Sequence, residues 1–432
     1  MIDHTHDPAA RSWVASANAG GAFDVRALPY GVFTVDDGRG LPRLGVAIGD
    51  RILDLAACAR TRMCDGLPPA LGATLVASNL NPLLALPPEH WSALRHRLFA
   101  LLVDDDGGWR GARSAVSDAL VPMDAARMHL PFAVGDYTDF YASIHHATLV
   151  GTMLRPDQPL LPNYRHVPIG YHGRASSIVV SGTPIRRPSG QYLAPGETTP
   201  RFGPSQRLDY ELEVGLVIGG ENAIGDPVPI ARAAERLFGI VLLNDWSARD
   251  IQAWEYQPLV PFLAKSFATT ISAWVITTEA LAPQRVPASP RATGDPQPLP
   301  YLFDERDQAS GAFDQPLEVR LSSARMRAEG VEAMQVSRSN LRDLYWTPAQ
   351  LIAHHTSNGC NLRPGDLLGT GTVSGPEPEA RGCLLERTWR GTEPLTLPTG
   401  ESRRFLEDGD EVTLTGDGGR AVCAGIVAGT ER

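Results

Sequence analysis

The sequence predicts a mainly β (α+β) fold in two modules. A small barrel with helical decoration covers residues 1–127, and a β sandwich or roll covers 128–432. Three observations carry this expectation. The 42 Gly and 36 Pro punctuate the chain without forming a low-complexity tract, which favours many turns between short strands. Runs with strand character recur between those turns, at 177–181, 210–218, 238–243, 274–277, 317–321 and 411–414. Finally, 432 residues exceed what one small core organises.

In chain order, segments 30–35 and 43–48 are apolar and separated by the turn sequence Asp36-Asp-Gly-Arg-Gly40, so they read as a hairpin. Residues 51–55 add a third strand, and residues 90–102 have the periodicity of a helix. A second helix is expected from about Asp139, and another opens after Asp245, where Ser247 and Asp250 form a capping-box pattern and Pro258 ends it. Residues 283–316, rich in Pro, Asp and Ala, read as a surface loop without catalytic duty.

A formal net charge of −10 argues against nucleic acid or an anionic membrane as partner, because both reward basic patches. Any anionic ligand then needs locally placed Arg or a metal. Five cysteines without C-x-x-C spacing point to free thiols in a reducing cytoplasm. The polar start and the lack of a long apolar run give no sign of a signal core or a membrane span. His4 and His6 are expected on a frayed terminus.

Four segments concentrate polar chemistry. In Asp209-Tyr-Glu-Leu-Glu213 a strand would place Glu211 and Glu213 on one face, roughly 7 Å apart. That is either a solvated sheet face or a site for a hard cation with oxygen ligands. Asp245 stands at a strand-to-helix corner, followed by Arg249, Gln252 and Tyr256 on one helical face. In Asp139-Phe-Tyr-Ala-Ser-Ile-His145-His146, helical spacing aligns His146 with Asp139 and rotates His145 away. Gly369, Gly371 and Gly375, with Thr372, form either a tight corner or a close approach to a ligand. Lys265 is the one lysine among 39 basic residues and sits in an apolar run. Its persistence suggests a need for a compact ammonium or a mobile proton.

Together these segments resemble the fumarylacetoacetase family. The resemblance rests on Gly135-Asp-Tyr-Thr-Asp-Phe-Tyr141, His146-Ala-Thr148, Gly170-Tyr-His-Gly-Arg-Ala-Ser-Ser177, Ser181-Gly-Thr-Pro-Ile-Arg-Arg-Pro188, Glu211-Leu-Glu213, Asn244-Asp-Trp-Ser-Ala-Arg-Asp-Ile-Gln252, Lys265-Ser-Phe267 and Gly359-Cys-Asn-Leu-Arg-Pro-Gly-Asp366. It extends to Leu28-Pro-Tyr-Gly-Val-Phe33 in the first module.

The resemblance implies an N-terminal SH3-like barrel, a C-terminal mixed β-sandwich roll, a homodimer and a cytoplasmic enzyme. The implied reaction is metal-dependent hydrolysis of 4-fumarylacetoacetate to fumarate and acetoacetate, the last step of tyrosine (and so phenylalanine) catabolism. It further implies Ca²⁺ held by Asp139, Glu211, Glu213 and Asp245. Mg²⁺ would substitute there or occupy a second site near Asp245, Lys265 and Thr269. His146 would be the general base, oriented by Glu386. Arg249, Gln252 and Lys265 would stabilise developing charge and return a proton. Tyr141, Arg155, Tyr171, Gln252, Tyr256 and Thr372 would contact a small anionic diketo-acid. The rivals are an acylpyruvate hydrolase or oxo-acid decarboxylase/tautomerase of the same superfamily and, further off, a non-catalytic metal-binding scaffold.

Overall fold

The structure, a computed structural model, describes residues 2–20, 23–35, 40–105, 109–416 and 421–429. The expected strands form at all six positions named above, and so does the hairpin, with Tyr30 opposite Val46 and Phe33 opposite Arg43. Its turn lies mostly outside the described residues. The third strand is Arg51–Asp54, and the first long helix is Pro88–Leu102.

One sheet of thirteen strands crosses both modules. Its neighbours run Leu120–Pro122, Arg51–Asp54, Arg43–Ile48, Tyr30–Thr34, Trp274–Thr277, Leu237–Asp245, Leu212–Ile218, Leu367–Gly369, Tyr137–Phe140 and Gly170–His172. The first module therefore opens into the second, because Tyr30 pairs with Val275 and Gly31 with Trp274. A Cβ on Gly31 would stand 2.6 Å from the Trp274 ring, so the absence of a side chain there permits the join. Among the described residues no barrel closes on itself. Pairing into the neighbouring sheet satisfies an edge that would otherwise need cover. A second sheet of five strands includes Pro316–Ser322, Met334–Asn340 and Glu411–Gly416.

The architecture is mixed α/β and less dominated by strands than expected, since helices such as Pro88–Leu102, Ile144–Leu154 and Pro348–Thr356 pack on the sheets. The Leu212–Ile218 strand is buried throughout. Leu212, Val214, Leu216 and Ile218 enter the larger core, whereas Val217, Val241 and Leu243 enter a second core shared with the first module. Both sheet faces are thus covered, which excludes a solvated outer face for Glu213.

Two further expectations change. Residues 283–316 are not a plain loop: they include the Glu305–Ser310 helix and a ladder between Arg285–Val286 and Ala312–Phe313. Arg291 stacks over Tyr345 and donates to its hydroxyl at 2.6 Å. The N-terminus is tied down, with Asp3 capping the His4–His6 turn and His6 Nε2 lying 2.7 Å from the Glu279 carbonyl. No helix among the described residues is long and apolar enough to cross a membrane. All five cysteines are free.

Candidate active site

Three carboxylates meet where three strands of the large sheet end. Asp139 lies on the Tyr137–Phe140 strand, Glu213 on Leu212–Ile218, and Asp245 is the last residue of Leu237–Asp245. Register brings them together: Gly369 pairs with Asp139 on one side and with Gly215 on the other, and Glu213 pairs with Leu243. A Cβ on Gly369 would sit 2.7 Å from Asp139 Oδ1 and 3.0 Å from Glu213 Oε2, so glycine leaves the acids room to approach each other. Ligand oxygens of Asp139, Glu213 and Asp245 all lie within 4.8 Å of one another.

This cluster is short of positive charge. Asp139 Oδ1 and both oxygens of Glu213 are buried without a hydrogen-bond partner. Burial, reinforced by Asp245, pushes the Asp139 carboxyl up to about 7 despite Lys265. Burial, then Asp139 and Asp245, hold Glu213 well above the usual carboxylate range. Asp245 is raised by burial and eased by Lys265. A divalent cation with a preference for hard oxygen donors fits this donor set, because it would satisfy the orphaned oxygens and offset the repulsion at once.

Glu211 stands apart from the trio. Its carboxylate lies 2.8 Å from Arg249 Nη1 and 2.5 Å from Lys265 Nζ. Burial opposes its ionisation, but Lys265 and Arg249 prevail and hold it well below its ordinary range. Lys265 Nζ also lies 2.5 Å from Asp245 Oδ2. Burial alone would lower the Lys265 ammonium, and Asp245 and Glu211 instead hold it above its ordinary value. Thr269 pairs with Asp245 across the ladder and donates to Oδ1 at 3.4 Å.

Asp245 marks the strand-to-helix corner as expected, but the cap differs. The Arg249–Glu255 helix has no side-chain cap from Ala248. Ser247 donates to the Asp245 carbonyl, while Asp250 accepts from Ser205 Oγ and the Gln206 amide. Arg249 Nη1 donates to Gln252 Oε1 at 3.1 Å, and Nη2 is buried without a partner.

The expected helix from Asp139 is absent, since that residue is in a strand and the helix runs Ile144–Leu154. Ser143 caps it, accepting from the His146 amide at 3.2 Å. His146 is nevertheless the buried member of the His145–His146 pair, with Nδ1 3.0 Å from Glu386 Oε2. The contact is a close polar approach in which Nδ1 lacks a well-aligned hydrogen bond. Glu386 is fully buried on the short Leu384–Arg387 helix, and Ser374 Oγ and Cys383 Sγ donate to its Oε2 at 2.9 and 3.2 Å. Burial works against its charge, yet His146 and these donors keep the carboxyl below its usual range. His145 is half-buried, and burial lowers its imidazole against the charges of Asp343 and Glu386.

Around these groups, Tyr141 packs edge-on against His146 at 5.3 Å between ring centres. The Tyr171 hydroxyl lies 3.4 Å from Asp245 Oδ2. Thr372 Oγ1 and Arg155 Nε are buried without partners, and Gln252 and Tyr256 are half-buried. A cleft of about 170 Å³ opens beside Lys265, Asp245, Tyr171 and Thr269, walled by Phe262 and Arg174. The sequence assigns no role to Tyr137, Ser374 or Cys383, and it places Asp209 on the face of Glu211 and Glu213 without a function.

Residues 26–131 match the family model described as fumarylacetoacetase N-terminal, and residues 137–427 match that of the fumarylacetoacetate (FAA) hydrolase C-terminal region. A fumarylacetoacetase of Caenorhabditis elegans is 51% identical over 404 residues, covering 91% of this chain and 92% of its own. That of Homo sapiens is 47% identical over 417 residues, covering 94% and 96%. Among solved structures, a fumarylacetoacetate hydrolase from Exiguobacterium antarcticum shares the fold, with a TM-score of 0.51 and 17% identity over 93% of this chain and all of that one. By sequence along nearly its whole length, the chain belongs to the fumarylacetoacetase family.

Proposed function

We propose that the chain hydrolyses the carbon–carbon bond of 4-fumarylacetoacetate, giving fumarate and acetoacetate. The observation that carries this reading is the buried set of Asp139, Glu213 and Asp245, with orphaned oxygens, beside the His146–Glu386 pair and the cations Arg249 and Lys265. Asp139, Glu213 and Asp245 would hold Ca²⁺, or Mg²⁺ in its place. Glu211 would join as fourth ligand on release from Lys265, and Lys265 and Thr269 would border a second Mg²⁺ site. The ion, when bound, supplies positive charge that polarises the dicarbonyl.

The residues divide the remaining work. Ionised Glu386 favours the tautomer of His146 with the proton on Nδ1, leaving Nε2 to take a proton from water. Hydroxide oxygen bonds to the fumaryl carbonyl carbon, and the bond from that carbon to the acetoacetate methylene then breaks. Arg249 Nη2, already buried and free of partners, donates to the developing oxyanion together with Gln252. The departing carbon receives a proton from Lys265, a transfer an ammonium makes and a guanidinium does not. Arg155, Tyr141, Tyr171, Tyr256 and Thr372 hold the anionic ends of the substrate.

Family resemblance further supports an SH3-like first module, a boundary near residue 127 and a homodimer. Exposed Leu259 and Phe262, 86% and 69% accessible, offer an apolar surface for the partner copy. Free cysteines suit a cytoplasmic enzyme. Purified protein assayed with Ca²⁺ or Mg²⁺ on fumarylacetoacetate and on acylpyruvates tests the reading. Faster turnover of an acylpyruvate would reject it.

A further inference from the structure

Asp209 lies outside the groups assigned above, yet it grips two of them at once. Its carboxylate is fully buried. Oδ2 accepts from Arg249 Nε at 2.9 Å and from the Leu385 amide at 2.9 Å. Oδ1 accepts from the Leu384 amide at 2.8 Å and from the Tyr210 amide at 2.9 Å. Leu384 and Leu385 begin the short helix whose third residue is Glu386, and the side chain of Cys383 at its N-cap accepts from none of the helix amides. The first amides of a helix have no partners within it, and a buried carboxylate from a distant strand fills that role here.

The same side chain therefore joins the two halves of the site. On one side it fixes Arg249, whose Nη1 reaches Glu211 at 2.8 Å and Gln252 at 3.1 Å and whose Nη2 is left free. On the other it fixes the turn that presents Glu386 to His146 at 3.0 Å. The main chain repeats the connection, because Glu211 forms a bridge with Cys383 and Leu212 donates to the Gly382 carbonyl at 2.9 Å. Those backbone contacts hold the strand to the loop, but among the described residues only the Asp209 side chain hydrogen-bonds both Arg249 and the Leu384–Arg387 helix.

We propose that Asp209 is a positioning residue that sets the spacing between the oxyanion donor Arg249 and the His146–Glu386 pair, so that it governs turnover and not substrate affinity. Water activation and oxyanion stabilisation must act on the same carbonyl carbon, and a misplacement of about 1 Å between such groups costs on the order of 100-fold in rate. The inference rests on the reading of Arg249, His146 and Glu386 given above.

The test uses the full-length metal-loaded enzyme and the variants Asp209→Asn, Asp209→Glu, Glu386→Gln and Asp209→Asn/Glu386→Gln. Asp209→Asn keeps the shape but loses the charge and one acceptor. Its kcat should fall about 10- to 100-fold, with KM within about threefold and calcium binding unchanged. Asp209→Glu, which retains the charge, should recover part of kcat. In the Glu386→Gln background the Asp209→Asn loss should be clearly smaller than in the parent, since one of the two groups it positions is already disabled and only the part transmitted through Arg249 remains.

Three results would overturn the proposal: kcat of Asp209→Asn within about twofold of the parent, full multiplication of the two losses in the double variant, or a loss that only tracks the unfolded fraction in a thermal melt. If Asp209→Asn does not fold, the same cycle run with Asp209→Glu decides between these outcomes. Parent enzyme that fails to cleave fumarylacetoacetate would instead remove the functional reading beneath it.

Discussion

Replacing Lys265 by Met removes the ammonium that sits 2.5 Å from Glu211 Oε2 and 2.5 Å from Asp245 Oδ2 at a site 8% exposed. At an effective dielectric of about 20, each contact corresponds to roughly 7 kcal/mol of gross attraction, much of it offset by the cost of desolvating three charges. Removing one partner of a buried ion pair typically costs about 3–5 kcal/mol, because the remaining charges are stranded. Lys265→Met should therefore lose about that much unfolding free energy in denaturant titrations of metal-free protein. Added Ca²⁺ should reduce the deficit by neutralising Asp245. Lys265→Arg keeps the charge and should regain most of the stability. Turnover should separate from stability: both variants should lose about 100-fold or more in kcat, since neither returns a proton to the departing carbon. Turnover of Lys265→Arg within about threefold of the parent would refute the proton-donor role, whatever the stability data show.

Other expectations follow from the same geometry. His146→Ala should lower kcat by about 100- to 10,000-fold with the melting transition intact, and an unchanged rate would favour a non-catalytic scaffold. Glu213→Gln should weaken calcium binding in a calorimetric titration while leaving the metal-free protein as stable as the parent or more so, because it removes a buried carboxyl without partners whose ionisation burial and its neighbours oppose. The folded-state pKa of Asp139 is raised from 3.8 to about 7, so its ionisation opposes folding. Metal-free protein should lose stability as pH rises from about 4 to about 7, by up to roughly 4 kcal/mol from this group. Saturating Ca²⁺ should flatten that slope. Glu386, held below its usual range by His146 and its donors against burial, acts in the opposite sense. Its contribution is present at neutral pH and lost as pH falls through the lowered value.

Much of the site was legible because strand alternation and short motifs are local. The Asp209-Tyr-Glu-Leu-Glu213 pattern put the acids on one face, and the corner at Asp245 followed from an apolar run ending in polar residues. The selection of His146 over His145 reached the buried residue through a geometry that does not exist. Asp139 belongs to a strand paired in parallel with Leu367–Gly369, and that pairing depends on residues some 230 positions away. Non-local pairing also joins the first strands to the large sheet: nothing near Gly31 announces that Trp274 will dock against it. The capping pattern at Ser247 failed for a similar reason, because Asp250 is claimed by Ser205 and Gln206 from another segment. Asp209 was visible as an acid on the right face, but its partners at 249, 384 and 385 appear only once the chain is folded.

The decisive measurement is turnover of fumarylacetoacetate by protein stripped of metal with chelator and assayed before and after Ca²⁺ is restored. If Asp139, Glu213 and Asp245 hold the ion that polarises the substrate, stripped protein should retain about 1% of the rate or less. Full activity should return as about one ion binds per chain, and Glu213→Gln should not recover at the same calcium concentration. Stripped protein that cleaves the substrate at the undiminished rate would contradict the metal-centred site.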